Sequence, residues 1–345
     1  MCRDHAVITS LLSFLRTKTV DLDYTSPLEF WKSIQPLVRR NRLPLYVLQT
    51  LVANSRDPNI LTQHDKYKNE IAKINFSIII HLKKLHHILS EAAIPYVIYK
   101  GPVQQHLVHG DMFQRPSGDI DILVDKRYFA ELRAALVASH HTLPDECDRI
   151  WWKYFLGEQH LLIEGIQRPT VDIHFRVQRP GCPQPANTAA FVHEKVEVNV
   201  AGISVPTPNT VNTMLVIAIN LVKGIYDEEP CAYHAYDLYT LDQKLTPELR
   251  ACLQDTADRQ GLRKTLDFAM FAATSIFGLN DLRTTSSRHY YWDRDSLAAL
   301  IIVPRTPTSL KPPRQVLLSL LSDNRGDYAK GLFWTFLSKV GRIID

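Results

Sequence analysis

The spacing of apolar residues divides the chain into three stretches of different character. From residue 1 to about 70 they recur every three or four positions, as in AVITSLLSFLRT (6–17) and PLYVLQTLVAN (44–54), which predicts helices. The stretch 66–94 continues that period, with Ile71, Ile74, Ile78, Leu82, Leu85 and Leu89 tracing one face of a long amphipathic helix. At residue 95 the character shifts. PYVIYKG (95–101) is short, β-branched and aromatic, and reads as a strand running into a helix that opens on Pro102 and closes on Gly110. DIDILVD (119–125) alternates and reads as a second strand, followed by the amphipathic helix KRYFAELRAALVASH (126–140). HLLIEG (160–165) and TVDIHFRV (170–177) are two further strands joined around IQRP, and VEVNVAGISVPTP (196–208) is a hairpin turning at Ala-Gly. From 209 the helical period returns, interrupted by the Pro-rich, basic and extended stretch 303–314 and resumed in a last helix over 315–344.

The pattern predicts an α+β protein: a mixed sheet flanked by helices over 71–208, a helical segment over 1–70 and a helical domain over 209–345. A length of 345 residues supports that division, being more than one core usually serves. The longest apolar runs, 214–222 and 297–303, are too short to cross a bilayer, so a soluble protein with no membrane partner is expected. Five widely spaced cysteines with no Cys-x-x-Cys pair argue against a disulfide framework or a zinc site and fit a cytoplasmic setting. The net charge of +4 is scattered, which argues against a nucleic-acid partner.

The strand 119–125 carries the chemistry. Strand alternation puts Asp119 and Asp121 on one face and Ile120, Ile122 and Val124 on the other. Two like charges at that spacing repel unless a cation lies between them, and hard carboxylate oxygens suit Mg²⁺ or Mn²⁺. A bare Asp-x-Asp is equally consistent with a solvated acidic edge. Asp172, between Val171 and Ile173, is a third acid on an otherwise apolar strand; alone it reads as a surface carboxylate, and three acids would converge if its strand lies beside the first. His174 shares its face and could orient a carboxylate, touch substrate or serve packing. Lys100-Gly101, where a strand opens a helix eighteen residues before Asp119, could hold an anion at the helix N-terminus.

Together, IPYVIYKG, RPSGDIDILV and VDIHF resemble the uncharacterised bacterial nucleotidyltransferase family of the DNA polymerase β-like superfamily, over residues 70–240. HAYDLYTL (234–241) fits the same resemblance. It implies a polymerase β-like core that transfers a nucleoside monophosphate from an NTP to an acceptor hydroxyl and releases pyrophosphate. It also implies that Asp119, Asp121 and Asp172 are catalytic and metal-binding, with Mg²⁺ or Mn²⁺ as cofactor. Lys100, Gly101, Arg115 and Gly118 would bind nucleotide, with Arg115 either pairing with phosphate or bracing its loop; His174 and Arg176 would contact substrate. The acceptor would be a small molecule, a peptide or a protein. A catalytically silent binding module and a toxin-type enzyme acting on tRNA or protein are the alternatives. This chain departs from the wider superfamily at the turn, where Pro102 supplies neither the hydroxyl nor the N–H that a Gly-Ser pair brings to phosphate.

Overall fold

A computed structural model describes residues 2–17, 26–163, 169–278, 294–303, 323 and 325–344. Helices α1 (Cys2–Thr17) and α2 (Pro27–Arg40) come first, then a 3₁₀ turn Leu45–Leu48 and the short α3 (Gln49–Ala53) where one helix was expected. The long helix α4 (Pro58–Glu91) starts earlier than its periodicity suggests, because Asp57 caps it by accepting the Asn59 N–H and Pro58 fits its first turn. It runs into β1 (Tyr96–Ile98). Next come α5 (Gly101–His109), closed by a left-handed Gly110, then β2 (Asp119–Val124) and α6 (Phe129–Ala138). The two-residue β3 (His141–Thr142), β4 (Glu158–Ile163) and β5 (Thr170–His174) complete the sheet, and the turn expected at IQRP lies mostly outside the described residues.

The sheet order is β1-β2-β5-β4-β3; β2 and β5 run parallel and the other pairs antiparallel, which makes the sheet mixed. One face of β2 and β5 carries Ile120, Ile122, Val171 and Ile173 into a core shared with Ile78, Leu82, Leu85 and Leu89 of α4 and Leu132 and Leu136 of α6. The opposite face was expected to be merely polar, yet Leu123, Val97 and Tyr99 are buried there in a second, larger core. A residue from either face is therefore lined by protein, and an acid on this strand needs partners.

After α7 (Thr188–His193), the hairpin β6 (Lys195–Val200) and β7 (Ile203–Pro208) turns at Ala201 and Gly202, both left-handed, as a two-residue hairpin requires. Helices α8 (Thr210–Tyr226), α9 (Ala232–Asp242), α10 (Pro247–Gln260), α11 (Arg263–Phe277), α12 (Arg294–Ile302) and α13 (Arg325–Ile344) follow. The expected extended stretch 303–314 and the start of the last expected helix lie almost entirely outside the described residues. The larger core joins Leu11, Phe14 and Trp31 of the first helices to α8, α9 and α11. The helices on either side of the sheet in sequence thus share one core. No described helix is long and apolar enough to cross a membrane.

Candidate functional site

Parallel pairing of β2 with β5 sets Asp121 opposite Asp172. Both side chains are buried, on the face opposite Ile122 and Ile173. Lys100 Nζ donates to Asp121 Oδ1 at 2.6 Å, and His174 Nε2 lies 3.2 Å from the same oxygen. Burial alone would raise the Asp121 carboxyl; the Lys100 ammonium and His174 overcome it and hold the group well below the usual range. Asp119, one pleat along, is pushed up to about 6, first by the charge of Asp121 and then by burial. On the other side of Asp172, His160 Nδ1 is 2.6 Å from Asp172 Oδ1, and that bond raises the His160 imidazole above its ordinary value.

The residues fit a divalent cation. Ligand atoms of Asp121, Asp172 and His174 lie within 4.8 Å of one another, as do those of Glu158, His160 and Asp172. His174 Nε2 is buried; it lies 3.2 Å from Asp121 Oδ1 and, among the described residues, makes no well-formed hydrogen bond. An unsatisfied ring nitrogen beside two buried carboxylates is the donor set of a cation site.

The Lys-Gly turn borders these acids. Gly101 is left-handed, with φ of 68°, and a Cβ there would lie 3.7 Å from the Asp119 carbonyl oxygen. Space would admit an alanine; the backbone conformation is what selects glycine. Pro102 takes the first turn of α5, where its missing N–H costs nothing to the helix. The Tyr99 N–H donates to the Asp121 carbonyl at 3.3 Å, so the residue before Lys100 is tied directly to β2.

The loop entering β2 is held by buried polar side chains. Gln105 Oε1 accepts the N–H groups of Gln114 and Arg115, and its Nε2 donates to the Arg115 carbonyl. Asn75 of α4 donates to the carbonyls of Met112 and Arg115 and accepts the Ser117 N–H. Both terminal guanidinium nitrogens of Arg115 donate to the Asp237 carboxylate of α9, a contact that fits bracing of the loop, and Arg115 also borders the cavity between sheet and helices. His109 Nε2 lies 2.9 Å from the same carboxylate, which is wholly buried.

Arg176 stands apart from the acids. β5 ends at His174, so strand alternation no longer carries Arg176 to the acid face; its guanidinium packs over the rings of Phe175 and Trp334 and lines a separate cavity. Gly118 is exposed and needs no left-handed backbone.

A cavity of about 210 Å³ opens between the sheet and the helices. Lys100, Gly101, Asp119 and Asp121 form one wall; Arg42, Lys223, Tyr233 and His234 belong to the other. Gln104 Nε2, Asn220 Nδ2 and His234 Nδ1 border it as buried polar atoms with no hydrogen-bond partner among the described residues, which suits a ligand rich in hydrogen-bonding groups. Asp237, His109, Gln105, Asn75 and His160 were missed by the sequence reading. The acid inside the apolar HAYDLYTL was the one legible signal among them.

Among curated proteins, none matches the chain. A solved structure that resembles it is an antigenic nucleotidyltransferase-like protein from Paracoccidioides brasiliensis, at 14% identity and a TM-score of 0.30, over 59% of this chain and 96% of that one. Residues 28–278 match the profile of a family described as uncharacterised nucleotidyltransferase, and the chain belongs to that family.

Proposed function

We propose that the protein is a metal-dependent nucleotidyltransferase that moves a nucleoside monophosphate from an NTP to an acceptor hydroxyl and releases pyrophosphate. The observation that carries this reading is the meeting of the buried Asp121 and Asp172 with His174, with the half-buried Asp119 one pleat along and the Lys100-Gly101 turn beside them. Asp121 and Asp172, grouped with His174, would hold Mg²⁺ or Mn²⁺, and Asp119, next along the same strand face, would join them. A bound divalent ion would neutralise charge on the phosphates and on the attacking oxygen. Asp172, hydrogen-bonded to His160, would accept the acceptor's hydroxyl proton as its oxygen bonds to the α-phosphorus and pyrophosphate leaves. Lys100 would exchange its bond to Asp121 for one to a phosphate, and the first turn of α5 would face the same group. Arg115 acts through its loop. Gly118 is open enough for close approach of a ligand; Arg176 is left to a contact outside the acid face. The acceptor would be a small molecule, peptide or protein in a cytoplasmic setting.

One observation favours a second reading, that of a silent binding module: the Lys100 ammonium lies directly on Asp121, where a cation would go, and Pro102 removes an N–H from the phosphate turn. Incubation with each NTP, Mg²⁺ or Mn²⁺ and candidate acceptors separates the two. The enzyme reading expects pyrophosphate and a labelled product, both lost in Asp119→Asn and Asp121→Asn. The silent module expects nucleotide binding without either.

A further inference from the structure

Helix α13 rests on the short π-helical turn Trp151–Leu156 through Ser338, Gly341, Trp334 and Arg342. Ser338 Oγ accepts the Trp151 Nε1–H at 2.7 Å, and a Cβ on Gly341 would come within 2.9 Å of the Phe155 ring. Thr335, one turn before Ser338, sits against Gly181. Four large apolar residues point the other way: Phe333, Phe336, Ile343 and Ile344 are 60%, 63%, 84% and 69% exposed. A surface helix ordinarily turns its large apolar residues to the core, and here only Trp334 among the described aromatic side chains packs on the protein.

The spacing 333, 336, 340, 343 makes these side chains a single stripe along the helix, with Lys330 and Lys339 falling on its two flanks. The segment carries Arg325, Lys330, Lys339 and Arg342 against one acid, Asp327. That charge selects the occupant. A second copy would bring an equally basic helix to the same seam, with one acid among four bases to answer it. An anionic lipid surface answers both features at once: the aromatic and aliphatic stripe enters the headgroup–acyl boundary while the flanking lysines stay at the phosphates.

We propose that α13 is an in-plane docking helix for an anionic membrane surface, holding the protein at the bilayer without crossing it. This stands independently of the catalytic reading. The test is co-sedimentation of the full chain with vesicles of phosphatidylcholine alone or mixed with phosphatidylglycerol, alongside sedimentation equilibrium without lipid. The expected result is binding to the mixed vesicles only, released at about 1 M salt, where the screening length shrinks to roughly 3 Å. Phe333→Ser/Phe336→Ser, on the exposed stripe and so compatible with folding, should abolish binding; Lys330→Glu/Lys339→Glu should weaken it on the order of a hundredfold. Wild-type protein that stays in the supernatant with mixed vesicles overturns the proposal. So does binding that survives the phenylalanine substitutions, or a lipid-free dimer that those substitutions dissolve.

Discussion

Gly101 ties local geometry to chemistry in a single residue. Its φ of 68° lies where side chains rarely go, and its neighbours leave ordinary van der Waals room for a methyl group. Gly101→Ala should therefore cost about 1 kcal/mol of strain, read as a small fall in Tm, while NTP binding falls more sharply as the turn shifts. An unchanged affinity would detach this turn from the phosphate. Asp119 gives a second prediction. Its carboxyl is pushed up to about 6 by Asp121 and burial, so it suits the metal-free fold best when protonated: that stabilisation is complete below about 4 and lost as the pH rises through about 6. Asp119→Asn should accordingly raise the Tm of the metal-free protein at neutral pH, and Mn²⁺ affinity in the wild type should climb as the pH passes about 6. A flat affinity profile would speak against Asp119 as a ligand. The alternation of 119–124 made this acid pair legible from sequence, because a period of two assigns faces without tertiary information. His160 was not legible as a partner of Asp172: only the antiparallel register of β4 on β5 brings them together.

Between elements, the decisive contact joins the loop before β2 to α9. Arg115 and His109 both meet the buried carboxylate of Asp237. Burial would raise that carboxyl, but Arg115 and His109 hold it well below the usual range. A depressed acid contributes stability that is present above its ordinary value near 4 and lost as the pH falls below it. Asp237→Asn leaves a buried guanidinium uncompensated and should cost roughly 3–5 kcal/mol at neutral pH, a gap to wild type that narrows below about pH 4. Urea titrations of both proteins across that range check it; a constant gap would place the stabilisation elsewhere. The sequence offered Arg115 two roles, and the partner that favours bracing stands in α9, 122 residues away, out of reach of any local pattern. A single buried acid in HAYDLYTL signals that some partner exists without identifying it.

At the scale of the whole molecule, two cores meet at the sheet. α4 and α6 cover one face, and helices from both ends of the described chain cover part of the other. The acids lie on this second face, with a cavity between them and Arg42, Lys223 and His234. The helical flanks were expected to wall the cleft, but nothing in the periods of helices such as α2 and α8 says that they share one core. The α+β class and the hairpin at Ala201-Gly202 were plain, since both follow from local period and turn chemistry. The central claim is that the three aspartates form a cation site serving a nucleotide. Electron paramagnetic resonance of Mn²⁺, titrated with wild type and with Asp119→Asn/Asp121→Asn in the presence of an NTP, tests it without knowledge of the acceptor. The account predicts that wild type removes free Mn²⁺ from solution beyond what the nucleotide alone does, and that the double variant, still folded, does not. Equal Mn²⁺ binding by both proteins, or none by the wild type, would contradict it.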